Sequence, residues 1–472
     1  MHSALLQLQV DGNVDVDTIP DDISSLVEDN FGDDEVDNCK DNDSEGIWPV
    51  IWDFAGQTVY RAIHPIFMSP EAVFVLAFDL SKNLFDKAGG NTGGNHSVPN
   101  PDGEDSNLEH IMRWMDMVHS LKHSAESETL PPVILVGTHA DSVKEDPNRI
   151  MDCLLDRFCK NRLLGEHIAG SVAVDNTRAG KAQEDPGIVR LRRQILEVAN
   201  KLPHTKKEVP LQWLKIENRI QHEAQCGVKY IPKLSFKEEI VEKVCKIQVD
   251  DVEPILNFLH DRGIIIYHEN ANDPNGLVVL DPQWLVNVLC KIITVVPSRE
   301  ENINIRSHRK KLKEKGILAK ELLDHACGEL GLMEVEQSLL FLMEKFNLLF
   351  RCPSMDNEEI YLVPCMLTAR PGKEIIPTAD DTSSSPVYVT FKTEYVPIGL
   401  FSRLVVLFGV WAARKSSCEQ QQIFANAARF VLDGKNFLGL VCYKSVVKLQ
   451  VWSQDKLDSL CNDSGFLSEV YR

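Results

Sequence analysis

Apolar positions along the chain fall into two alternating patterns. Short unbroken apolar runs occur at Val50–Trp52, "AVFVLAFD" (72–79), "PVILVG" (132–137) and "AGSVAVD" (169–175). Runs of this length, bounded by turn residues, predict strands buried on both faces. Helical spacing fills the intervals. In "NLEHIMRWMDMVHSLK", Leu108, Ile111, Met115 and Val118 share one face, with Asn107 as the expected cap. Further helices are predicted over about 147–163 and in "PGIVRLRRQILEVANKL" (186–202). Strands alternating with helices predict a parallel α/β sheet, whose ligands sit at the carboxyl ends of strands. Asp53, Asp79 and Thr138-His139-Ala140-Asp141 all fall at such ends.

The pattern changes after the linker "PHTKKEVP" (203–210). Trp213, Ile216 and Ile220 share one helical face, and "SFKEEIVEKVC" and "VEPILNFLHDRGIIIYHEN" continue as helices, the latter ended by Gly263. "GLVVLDPQWLVNVLCKII" predicts a strand, a turn at Asp281-Pro282 and a helix. Helices followed by a two-stranded wing predict a winged-helix-like module. Residues 386–452 read as strand-rich, with "PIGLFSRLVVLFGVW" and "NFLGLVCYKSVVKLQVW" expected to build a buried sheet.

Composition narrows the possibilities. A length of 472 residues predicts two to four domains, and 43 % hydrophobic residues is ordinary for globular folds. No apolar run reaches the ~18 residues of a membrane span. Twelve cysteines without a CxxC pair predict free thiols and a cytoplasmic setting, not zinc knuckles or a disulfide framework. The net charge of −20 is concentrated: residues 1–46 hold fourteen Asp or Glu and one Lys. That segment reads as an acidic linker or disordered stretch, and the glycine- and asparagine-rich insert at 88–106 as a surface loop. The mildly acidic remainder gives no case for nucleic acid, and the basic run "RSHRKKLKEKG" (306–316) reads as a solvated linker or protein contact.

Two short elements carry candidate chemistry. "WDFAGQ" (52–57) resembles the DxxGQ element of Ras-like GTPases, and "VGTHAD" (136–141) resembles their base-reading element in its THxD form. With "YRAIHPIFM" and "FDLSK", they are similar to the Roc (Ras of complex proteins) domain of Roco proteins. "FLHDRGIIIYHE" and "VVLDPQWLVNVL" resemble the first half of COR, the C-terminal of Roc domain. "EEIYLVPCML" and "VYVTFKTEYVPIGLFSRLVVLF" resemble its second half. The resemblance implies an incomplete Ras-like parallel sheet over 47–203. A winged-helix-like COR first half would follow over 208–370, and a strand-rich, dimerisation-type second half over 386–472.

It also implies roles. Asp53 would hold Mg²⁺ through a water, the Gly56 N–H would contact the γ-phosphate, and Gln57 would orient the attacking water. Asp141 would accept paired N–H bonds from guanine, with Thr138 and His139 beside it. The stretch Ser171–Ala173 would offer a backbone N–H to the guanine oxygen. Taken singly, Asp53 also suits a solvated strand end and Asp141 a turn.

One departure cuts across this. A phosphate-binding loop, GxxxxGK[ST], does not occur: each Gly-Lys pair (180–181, 372–373, 434–435) lacks the earlier glycine and the following Ser or Thr. The chain therefore reads as a Roc domain cut after its first helix. "ALLQLQV" (4–10) is the candidate for the strand antiparallel to "VIWDF", with nothing to fill the central place beside it. Two readings follow. One is the Roc-COR module of a Roco signalling protein, with GTP/GDP and Mg²⁺ used by the parent, protein effectors, and a homodimer through COR. The other is a nucleotide-independent scaffold. No kinase signature occurs in the chain.

Overall fold

The computed structural model describes residues 2–7, 50–55, 63–86, 106–121, 130–203, 210–246, 251–270, 276–294, 303–352, 359–367, 369–371, 375–376, 384–413, 421–433 and 435–453. Strand β1 (His2–Gln7) pairs antiparallel with β2 (Val50–Ala55), Ala4 opposite Asp53. β1 also runs alongside β3 (Phe74–Asp79), so it occupies the place between β2 and β3 that the sequence left unfilled. β3, β4 (Val133–Thr138) and β5 (Ile168–Ala173) form a parallel three-stranded sheet.

Alternation along these strands serves two cores. Phe74, Leu76, Phe78, Val133 and Leu135 pack towards α1 (His64–Phe67), α2 (Asn107–His119) and α3 (Pro147–Lys160). Val73, Val75, Ile134, Val136 and Val172 face the other way, against α5 (Pro186–Ala199), which follows the short α4 (Arg162–Gly165). Apolar residues on both faces explain the unbroken runs of the sequence.

β2 departs from its expected double burial. Trp52 and Phe54 point inward, Trp52 stacking on Phe67 at 5.7 Å and Phe54 meeting His64 at 5.0 Å, which stacks on Trp114 at 5.3 Å. Ile51, 63 % exposed, and Asp53 face outward. The expected cap of α2 also shifts by one residue. Ser106 Oγ accepts from the Glu109 N–H, while Glu109 Oε2 accepts from the Ser106 N–H at 2.9 Å, a capping box. Asn107 instead donates its amide to the Asn83 carbonyl.

The middle of the chain builds two helical units with small sheets. In the first, α6 (Leu211–Gln225), a π-helix (Phe236–Val244) and α7 (Glu253–Asp261) enclose Ile216, Ile220, Phe236 and Leu256 beside the ladder of β6 (Tyr230–Pro232) and β7 (Leu277–Val279). Gly263 at φ 69° ends the α7 turn in a conformation that side chains resist. The second comprises α8 (Pro282–Thr294), α9 (Ile303–Lys315), α10 (Lys320–Leu330) and α11 (Glu336–Lys345). They accompany an antiparallel sheet of β8 (Ile317–Ala319), β10 (Ile360–Leu362) and β9 (Phe350–Cys352). The basic run thus lies on a helix, α9, and not in a linker.

The final unit is a five-stranded antiparallel sheet in the order β11 (Val387–Thr390), β15 (Val446–Ser453), β14 (Asn436–Cys442), β13 (Ala427–Asp433), β12 (Gln422–Ile423). One expectation fails here: "LFSRLVVLFGVWAA" is a helix, α12 (Leu400–Ala413). Phe401, Val405, Val406, Gly409 and Ala412 recur at helical spacing and cover the sheet core of Phe430, Leu438 and Val451. A methyl group at Gly409 would meet the Phe350 ring at 2.3 Å, so the helix can cross β9 closely only with glycine there. Eight of the described cysteines are free thiols, whereas Cys352 is disulfide-bonded, a departure from the all-thiol expectation. Among the described residues no helix is long and apolar enough to cross a membrane.

Candidate functional site

The carboxyl ends of β3, β4 and β5 form one rim. Asp79 and Thr138 are opposed in the parallel ladder, and Thr138 Oγ1 donates to the Phe78 carbonyl at 3.1 Å. The Asp79 carboxylate accepts from the Ser81 N–H at 3.0 Å and its hydroxyl at 2.6 Å, with His139 Nδ1 at 3.5 Å and Lys82 Nζ at 3.6 Å. Partial burial pushes its pKa up, but the Ser81 bonds and these two neighbours outweigh that and leave it lowered. Asp79 is therefore a fixed anion that anchors the His139 side of the rim.

His139 has φ 59°, the left-handed region that histidine tolerates better than most residues. This turn projects the 3₁₀ segment Ala140–Ser142 outward and leaves Asp141 exposed, its Oδ2 accepting from Ser142 Oγ at 3.2 Å. The Ala140 N–H donates to the Val174 carbonyl at 3.2 Å, and the Val174 N–H to the Gly137 carbonyl at 2.8 Å. The two loops are thus stitched together.

The fit along β5 differs from the sequence reading. Ser171 lies within the strand opposite Leu135, and Ala173 is its last residue, opposite Gly137. The part that reaches the rim is Val174–Thr177, where the Asp175 carboxylate accepts from the Thr177 N–H at 2.9 Å and hydroxyl at 2.6 Å. The Asp-x-Thr spacing of this Asx turn was the available signal, and the apolar run before it concealed the true strand end. Helix α5 begins against the same spot. A Cβ on Gly187 would lie 2.2 Å from the Ala173 carbonyl oxygen, so glycine permits the close approach.

The other proposed corner is less complete. Asp53 lies on the outward face of β2, while Gly56 and Gln57 lie outside the described residues. Thr138, His139 and Asp141 lie together at the rim, with Asp141 an exposed carboxylate acceptor on a loop held by backbone bonds. No GxxxxGK[ST] motif accompanies the Asp53 corner in the sequence.

The family model "Ras of Complex, Roc, domain of DAPkinase" matches residues 15–91, and "C-terminal of Roc, COR-A domain" matches 210–367. The chain belongs to the Roco family. Similar proteins include the probable serine/threonine-protein kinases pats1 and qkgA of Dictyostelium discoideum. Each is 23 % identical, over 380 and 438 residues, covering 78 % of this chain. A "Roc-COR-CHAT protease" from an unknown prokaryotic organism is 24 % identical over 322 residues, 67 % of the chain. The chain spans 10 % of the length of pats1 and 25 % of each of the other two.

The parallel-sheet unit and the final antiparallel unit meet through α2. Lys444, in the β14–β15 turn, lies 2.5 Å from Glu109 Oε1, and the Arg113 guanidinium lies 5.8 Å from the Tyr395 ring centroid. The Thr393 hydroxyl donates to the Tyr395 carbonyl at 3.5 Å and lies beside Asp116, and the Asn161 amide donates to the Thr393 carbonyl at 3.3 Å. Glu109 is thus shared between the helix cap and the final antiparallel unit. Burial raises its pKa, and the Lys444 and Ser106 contacts more than offset that.

Proposed function

We propose that this chain is the Roc-COR regulatory module of a Roco signalling protein. The rim of β3–β5 reads guanine, the parent protein binds and hydrolyses GTP, and COR relays the state of the rim and dimerises. The observation that carries this reading is the α2 clasp. One helix beside the parallel sheet holds the final unit by an ion pair and a ring contact, so displacement of α2 would displace what we read as the second half of COR. The two helix-plus-small-sheet units between them support the winged-helix reading of the first half of COR. Asp141, Thr138 and His139 would hold the base, with Val174–Thr177 replacing Ser171–Ala173 as the source of the backbone donor. Mg²⁺, when bound, would neutralise phosphate charge; Asp53 is its proposed ligand through water.

Titration of the purified chain with GDP and ADP tests the rim. The expected result is weak binding that prefers guanine at least tenfold, the worth of about 1.5 kcal/mol for one charge-assisted hydrogen bond. Asp141→Asn removes that preference. Equal binding of both nucleotides, or an unaltered preference in the variant, overturns guanine reading. The missing GxxxxGK[ST] favours the second reading, a nucleotide-independent scaffold, and micromolar GTP binding by this chain would sink it.

Edge strand β11 is the proposed homodimer surface. Its Val387, Tyr388 and Val389 are 38, 55 and 41 % exposed, an apolar edge of the kind that pairs with another chain. Sedimentation velocity should find a dimer that Val389→Lys converts to monomer; a dimer unaffected by that change places the interface elsewhere.

A further inference from the structure

Helix α9 is divided lengthwise. Ile305 and Leu312 are buried, His308 meets Glu321 at 3.3 Å, and Arg309 faces Glu329, so the inner side is apolar and compensated. Ile303, Arg306, Lys310 and Lys313 follow at spacings of three, four and three residues and therefore share the opposite side. All four are exposed, Ile303 at 83 %, and Lys311 and Lys315 flank them, also exposed. The helix carries six Lys or Arg against one Glu, and that Glu314 lies a loose 3.9 Å from Lys310. Cations so concentrated on a chain of net charge −20 are unlike its general surface.

We propose that this face docks on an anionic lipid surface. The stripe from Ile303 to Lys313 runs along ~15 Å of straight helix, a convex edge suited to a plane of headgroups. An acidic peptide would gain specificity from a groove, and the exposed side of a single helix offers none. The terminal isoleucine lies in line with the cations, where it can enter the headgroup boundary while the lysines contact lipid phosphates and carboxylates. The surplus negative charge of the chain is screened beyond ~8 Å at physiological salt, so it does not cancel attraction at contact. This docking is independent of nucleotide reading and would hold the Roc-COR module at a membrane without spanning it.

Co-sedimentation of the purified chain with phosphatidylcholine vesicles, with and without phosphatidylserine, tests this. Binding is expected only with phosphatidylserine and should weaken as salt rises. The double variant Lys310→Glu/Lys313→Glu should lose at least about twenty-fold in partitioning, since each cation near the surface is worth roughly fivefold. Ile303→Asp should weaken it further. Both changes are on exposed positions, so circular dichroism should report an unaltered fold. Binding to neutral vesicles alone, equal binding by the double variant, or capture of polyglutamate or RNA in place of vesicles would each overturn the proposal.

Discussion

Replacing Lys320 by methionine is expected to destabilise the second COR helical unit by about 3 kcal/mol or more. Lys320 opens α10 and donates to Asp324 one turn on and to Glu336 Oε1 at 2.5 Å, at the start of α11. Its stem is 26 % exposed, but the Glu336 side chain is only 6 % exposed. Burial pulls the lysine pKa down, yet the two carboxylates outweigh that and raise it, so the cation is retained. Without it, the Glu336 carboxylate is left inside with no counter-charge, the circumstance in which breaking a buried pair costs most. Urea unfolding should show the loss, and the double variant Lys320→Met/Glu336→Gln should recover a good part of it, because the orphaned charge is then gone. If the double variant is as unstable as the single one, the defect is packing of the lysine stem and not its charge.

What the sequence disclosed and concealed follows from the range of each interaction. β3 and β4 were legible because a strand buried on both faces must be apolar at nearly every position. α12 was misread for a related reason: Val405, Val406 and Val410 favour strands locally, and tertiary packing against the sheet overrides that preference. α9 looked like a linker because only Ile305 and Leu312 face inward, too few for an apolar period to stand out. At the rim, Thr138, His139 and Asp141 are contiguous and so could be found by motif. The end of β5 at Ala173 was hidden by the apolar run through Val174, and only the Asp175–Thr177 turn marks where the strand leaves its ladder. The α2 clasp was not legible at all, since Asp116 and Thr393 are brought together only by folding.

That clasp yields the other large effect. Asp116 is 1 % exposed, in the last turns of α2, and its Oδ2 has no hydrogen-bond partner among the described residues. Burial pushes its pKa up to about 6, against smaller opposing contributions from the Thr393 hydroxyl and Arg113. The carboxylate end of a helix dipole adds to the disfavour of a negative charge there. Because the folded state holds this proton more tightly than the unfolded one, stability from Asp116 is greatest below pH ~4. It declines as pH rises towards about 6 and is flat beyond. At neutral pH the ionised form therefore costs the folded state about 2–3 kcal/mol. Asp116→Asn removes the charge, though its buried N–H needs a partner. The expected net gain at pH 7 is about 1–2 kcal/mol, shrinking to nothing near pH 4. Thermal unfolding of both proteins from pH 4 to 8 measures it: their midpoints should converge in acid and separate between pH 4 and 6. Parallel curves would mean that the folded state holds the Asp116 proton no more tightly than the unfolded one, with Arg113 as an effective counter-ion that offsets the cost of burial.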